Sequence, residues 1–319
     1  MWGEEVKAVI QKVPVPLSGV MLGCAALGNL LQSYSEGARL LFGGISLLLL
    51  LVLLLKLALF PAVVGADLKN SIIMGVSATF PMGLMLLSVY AKPFLGPAAA
   101  AIWFAAIGLH LVLICAFTYR FFKKLDITKV FASYFVVYVG IATAGVSAPA
   151  FGMTSLGTAA FWFGFVCLIG LLALVGYRYI KYPAIPEPAQ PVFCIFAAPA
   201  SLCLAAYLQS VDEKRLEIVL VLAVLATALY LLSLGKLFTL LRRPFYPSHA
   251  SFTFPFVISA IAMKQLGGYL GKVGVAAPFL PAVVMIETVI ATVLVCLTLA
   301  RFIVFVLRAA AEAKQAPVV

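Results

Sequence analysis

Apolar runs of bilayer-spanning length, cut by short polar joints, constrain this chain more than any motif. Residues 39–60 read RLLFGGISLLLLLVLLLKLALF, a single run with one arginine at its start and one lysine inside. A helix needs about 20 such residues to cross the hydrocarbon core, and in lipid only helices or closed barrels satisfy every backbone polar group. Across all 319 residues 65% are hydrophobic and 10% are charged, where a soluble domain carries about a quarter charged. A water-soluble globule cannot hide that much apolar surface. Soluble enzymes, coiled coils and disordered chains are excluded, and the fold class expected is an all-α polytopic membrane protein.

Cutting the chain at polar and Pro/Gly clusters gives ten spans, near 14–32, 39–60, 71–91, 97–119, 129–150, 157–178, 191–208, 215–240, 251–270 and 278–308. The joints are too short to hold an inserted soluble domain, so residues 1–319 are expected to form a single transmembrane domain. The last span is long enough to tilt or to run past the bilayer.

The net charge of +11 does not point to nucleic acid, because the bases sit mostly in short loops. Sixteen of the 22 Lys and Arg residues fall at the termini and on the even-to-odd loops, with Lys69, Arg120, Lys123, Lys124 and Lys129 among them; six fall on the opposite side. The positive-inside rule then puts both termini in the cytoplasm, as an even number of spans requires. The six cysteines form no CxxC pair and lie in apolar stretches, where they read as small hydrophobes. Glu4, Glu5, Lys7 and Lys12 precede a first span too rich in Pro and Gly for the core of a cleavable signal peptide.

A weak repeat organises the spans. Every odd span carries proline within or just inside it: Pro14 and Pro16, Pro81, Pro149, Pro199 and Pro255. The even spans have only Pro97, Pro278 and Pro281, at their starts. An interior proline removes a backbone hydrogen bond and clashes with the preceding turn, and the freed carbonyl must be satisfied by protein or by a water-filled cavity. Kinked spans alternating with straight ones suggest an inner ring and a lipid-facing outer ring. Because two helices return the chain to its starting side, successive hairpins run parallel about an axis along the membrane normal. Inverted repeats need an odd number of helices per unit, and the sixth span has no proline to match the first. The expectation is five helical hairpins with quasi-five-fold symmetry around a central pore. Its candidate lining residues are Pro16, Gly19, Phe80, Pro81, Gly83, Pro149, Pro199 and Pro255.

The ten-span layout, the first-span sequence VPLSGVMLGCAALGNL (Val15–Leu30) and the ninth-span motif Ser251-Phe252-Thr253-Phe254-Pro255 resemble the tellurite-resistance/dicarboxylate transporter family. That family includes a bacterial tellurite-resistance channel homologue and the slow anion channels of plant guard cells. The resemblance implies a homotrimer at the cell (plasma) membrane in which each subunit has its own pore, lined by the odd helices and blocked by a phenylalanine on the ninth. By its place in the motif that residue is Phe254. An apolar ring across a narrow pore excludes water and makes a dehydrated ion costly. Phe80, before Pro81, is the analogous aromatic of the third span, with core packing as its other reading.

No acidic residue falls in the interior of an odd span, which argues for anions over cations or protons. Two charges do lie inside spans. Lys264 and Glu287 sit about 9 and 14 Å from the same side at 1.5 Å per residue. They are expected to form an outer ion pair, or else Lys264 attracts anions from the pore wall. His110 is expected to bond a neighbouring helix, and Lys56 to snorkel toward a cytoplasmic end. With two histidines and no HExxH, GxSxG or Walker motif, enzymatic chemistry is not expected, nor is a cofactor or metal. The function expected is a passive anion channel or uniporter for small inorganic or organic anions. The alternative is a secondary transporter of C4-dicarboxylates, sulfite or tellurite-related anions.

Overall fold

The computed structural model describes residues 2–315, and every regular element in them is helical. α1 (Trp2–Lys12) meets α2 (Leu17–Leu31) at an 86° bend. The intervening Val13-Pro14-Val15-Pro16 makes that corner because neither proline can donate to a helical ladder. Lys56 was expected to snorkel but is buried. Its Nζ donates to the Gln11 carbonyl at 3.0 Å, in the last turn of α1 where carbonyls lack helical partners. That lysine belongs to α3 (Glu36–Leu59), which starts at Ser35, whose side chain accepts the Ala38 N–H.

α4 (Pro61–Asp67) leads to α5 (Ser71–Ser77) and α6 (Thr79–Leu95), then to α7 (Ala98–Phe117), whose end loosens into a π-turn. α8 (Ser133–Tyr138) and α9 (Thr143–Ser147) are joined and followed by 3-10 turns, Gly140–Ala142 and Ala148–Phe151. α10 (Thr154–Lys181) precedes a 3-10 stretch, Glu187–Ala197, and α11 (Pro199–Ser210). α12 (Leu216–Leu241) is followed by a 3-10 turn, Pro247–Phe252, then α13 (Phe254–Lys272) and α14 (Leu280–Gln315). At about 1.5 Å per residue α14 outruns a hydrocarbon core of about 30 Å.

Seven of these stretches are long and apolar enough to cross a membrane, or eight when the bent pair α1–α2 is taken as one span. The chain is a multi-pass membrane protein. α13 is not among the seven, because Lys264, Gln265 and its glycines lower its hydropathy. The Gly140–Phe151 stretch is apolar but short.

Packing sorts the helices into two layers. α2 packs on α6, α6 on α9, α9 on α11, α11 on α13, and α13 returns to α2. Outside that circle α3 covers α2, α7 covers α6, α10 covers α9 and α11, α12 covers α11 and α14 covers α13. The inner stretches Ser71–Leu95 and Glu187–Ser210 are 72% and 83% buried, against 28–39% for the outer helices. The outer faces expose Val112, Val166, Ile180, Val224 and Ile286, side chains that lipid solvates and water does not. Small residues let the inner helices approach closely: a Cβ on Gly145 would come within 2.9 Å of the Ala206 Cβ.

The prolines act differently from simple kinks. Pro81, Pro199 and Pro255 stand in the first turn of α6, α11 and α13, each preceded by a separate short helical piece. A proline there removes no needed donor, whereas its ring forbids continuation of the helix before it. In each of these inner spans a new helical segment begins at the proline or within two residues before it.

Candidate functional site

Three cavities are arranged in series through the inner circle. A vestibule of about 500 Å³ is lined by residues that include Arg39, Thr143, Leu202, Phe254, Lys264 and Gln265. A neck of about 40 Å³ follows, lined among others by Gly19, Val76, Thr79, Leu202, Phe254 and Pro255. A second vestibule of about 890 Å³ takes in Pro16, Val76, Lys69, Arg120, Lys124 and Lys129. Phe254 and Leu202 line both the first vestibule and the neck. Val76 lines both the neck and the second vestibule.

Phe254 owes its place to the local chain. The 3-10 turn Pro247–Phe252 ends at Thr253, and α13 begins at Phe254 with Pro255 in its first turn. Thr253 Oγ1 donates to the Gly19 carbonyl at 2.9 Å and lies 2.7 Å from the Ala250 carbonyl. Farther along α13, Ile258, Ile261 and Gln265 line the same vestibule as Phe254. Their spacing of three and four residues puts them on one helix face.

The neck holds two hydroxyls, and both are already engaged. Thr79 Oγ1 is 2.7 Å from Ser18 Oγ and 2.7 Å from the Val76 carbonyl. Ser251 Oγ donates to the Pro191 and Ser248 carbonyls. What faces the neck is therefore apolar, and a small apolar cavity stays dry. Thr79, Pro199 and Phe254, which line the neck, are each the first residue of α6, α11 or α13. Three inner helices thus begin beside it.

The two vestibules are both basic. Arg39 and Lys264 line the first, with no carboxylate among its lining residues. The second holds Lys69, Arg120, Lys124 and Lys129 with Asp67 and Asp126.

Of the candidates from the sequence, Gly19, Pro199, Phe254 and Pro255 converge on the neck, and Pro16 lies in the second vestibule. Phe80, Pro81, Gly83 and Pro149 line none of the three cavities. Phe80 packs half-buried against the core, and a Cβ on Gly83 would meet Met21 of α2. Pro149 is exposed.

The expected pairing of Lys264 with Glu287 is not among the ion pairs of the described residues. Lys264 Nζ instead donates to the Leu30 carbonyl at 3.2 Å and to Ser33 Oγ. The last carbonyls of α2 lack helical partners and attract the ammonium. Glu287 lies buried on α14, with Oε2 unpaired among the described residues. His110 does bond a neighbouring helix, Nε2 to the Val137 carbonyl at 2.9 Å. Leu202, Val76 and Arg39 were not anticipated. Leu202 alone carried a signal, three residues and thus one turn after Pro199.

A multi-pass helical membrane protein with two basic vestibules joined by a dry neck is built to handle anions. The match of residues 12–306 to the voltage-dependent anion channel family (SLAC1) shows which such class this is. The chain belongs to that family, whose members are anion channels and transporters and not enzymes. No curated protein matches the chain.

Proposed function

We propose that the protein is a passive anion channel whose conducting path is the line of three cavities, closed at rest by Phe254. The carrying observation is that Phe254 and Leu202 border both the vestibule and the neck, so a path between the two passes those side chains. Rotation of the Phe254 ring would join two spaces that already exist, with no rearrangement of helices. Selection of anions follows from the basic mouths. Within the neck the ordering of ions is by dehydration cost, since it offers no charged ligand.

The ten-span reading fits this picture as five hairpins, one helix of each in the inner circle, with the inner helices lining the path. The positive-inside count supports cytoplasmic termini, with the Lys129 vestibule facing the cytoplasm, and family resemblance supports the plasma membrane. Family resemblance supports a homotrimer with one path per subunit. A coupled carrier of dicarboxylates or sulfite would require a coupling group at mid-depth, and the residues lining the neck include no carboxylate.

The test is Phe254→Ala reconstituted in planar bilayers. Chloride conductance is expected to rise by at least tenfold over wild type. A correctly folded mutant as silent as wild type would show that the ring is not the barrier.

A further inference from the structure

We infer that the Lys264 vestibule is a binding site for divalent oxyanions, and that an ion held there blocks monovalent anion flow instead of crossing. The inference rests on the channel reading above and goes beyond it by assigning a ligand class to one mouth.

Three observations carry it. First, Lys264 and Arg39 face one space of about 500 Å³ that no carboxylate lines. Arg39 is paired with Glu36 at 2.6 Å, but Glu36 does not line this space. Lys264 has no carboxylate partner among the described residues and is held by neutral oxygens of α2 and the following turn. Its charge is therefore uncompensated.

Second, polar atoms around the same space are unused. Thr143 Oγ1 and Arg39 Nε are buried without a hydrogen-bond partner, and both residues line it. Thr143 is 1% exposed. A buried polar group normally has a partner, and these two are donors, a hydroxyl and a guanidinium N–H, that an incoming oxyanion would satisfy. Such a ligand is bound by charge and hydrogen bonds together.

Third, the neck beyond Phe254 treats valence in the opposite way. Attraction to the fixed cations grows in proportion to the charge on the anion. The cost of leaving water grows with its square, so a dianion meets about fourfold the barrier of a monoanion of equal size. The neck is narrow and apolar, with both hydroxyls engaged elsewhere. A dianion is thus favoured in the vestibule and disfavoured past it. That combination makes a plug.

The probe is sulfate, applied to Phe254→Ala channels carrying chloride at low ionic strength, first on one side and then on the other. Voltage-dependent suppression of chloride current is expected from one side only, with sulfate itself carrying little current. Lys264→Met should weaken the block by roughly five- to tenfold, the Coulomb effect of one charge on a nearby dianion. Lys264→Arg should restore it, which a merely structural lysine would not do. Sulfate current equal to chloride current, or a block unchanged in Lys264→Met, overturns the inference. If Phe254→Ala is silent, the gate reading fails on its own. The site is then decided by sulfate-dependent thermal stabilisation of the purified wild-type protein, expected and lost in Lys264→Met; no stabilisation of wild type overturns it.

Discussion

Thr253 Oγ1 reaches the Gly19 carbonyl at 2.9 Å, tying the residue before Phe254 to the first turn of α2 across 234 positions of sequence. One turn farther along α2, Gly23 keeps that contact open. A Cβ at Gly23 would lie 2.5 Å from the Thr253 Cβ and 3.2 Å from the Phe254 nitrogen. The spacing of α2 and α13 therefore sets where the Phe254 ring begins.

Gly23→Ala should displace the start of α13, because a Cβ cannot sit within 3 Å of another carbon. Overpacking of this kind costs about 1–3 kcal/mol. A lower melting midpoint is expected, together with faster chloride efflux from liposomes than wild type. Unchanged efflux with unchanged melting would mean that the α2–α13 spacing is slack.

Leu202 lines the neck together with Phe254, and it is 2% exposed. Leu202→Ala should widen the neck while leaving the ring in place. Chloride conductance is expected to rise, but less than in Phe254→Ala, with a stability loss of about 2–5 kcal/mol from the cavity created. Equal conductance in the two mutants would move the barrier from the ring to the leucine.

Arg178 is 2% exposed and lies near the end of α10. Its guanidinium donates to the Tyr182 carbonyl at 2.6 Å and the Thr128 carbonyl at 3.2 Å, and stands 5.0 Å over the Phe131 ring. The planar fork serves two chain segments at once, which a lysine ammonium cannot reproduce. Arg178→Lys should cost about 2 kcal/mol, and thermal melting in detergent measures it. Proteolysis of the 123–132 loop should become faster, while single-channel conductance in a Phe254→Ala background stays as it was.

In that loop Asp126 is held below the ordinary carboxylate range. The largest cause is the Thr128 hydroxyl, donating at 2.6 Å, followed by the Lys129 ammonium at 3.1 Å and the Thr128 N–H. A depressed carboxylate stabilises the folded loop above its unfolded pKa, and the contribution disappears as pH falls through the lowered value. The hydrogen-exchange protection factor of the Thr128 amide should therefore hold through neutral pH and fall only in acid below the usual aspartate range. In Asp126→Asn the protection should lack this pH dependence. Loss of protection already at pH 6 would contradict the assignment.

Proline spacing made the breaks legible in the sequence but not the direction in which side chains point. Thr79, Met82, Leu86 and Val89 line the cavities at steps of three and four, whereas Phe80 is one residue, or about 100°, around the helix from Thr79. Proline marks the first turn of a helix, so Pro81 lies beside Thr79 and Met82, which line the neck, without lining it itself. Val76 was hidden because aliphatic residues are everywhere in this chain and carry no individual signal, and the place of Leu202 one turn after Pro199 was its only mark. The Lys264–Glu287 pairing failed for a similar reason. Depth along the helices was readable, but the bare carbonyls at the end of α2 compete for the ammonium, and that competition is visible only when α2 and α13 lie side by side.

Because α13 closes the circle against α2, the two walls of the seam are far apart in the order of synthesis, with Thr253 and Gly19 separated by 234 positions. A nascent chain that has emitted everything before α13 holds an open, C-shaped wall whose apolar slot faces the lipid. Membrane insertion machinery or a neighbouring helix would have to shield that slot until α13 has left the ribosome. Early stop codons should consequently yield products that are degraded, with no shortened but working version of the protein.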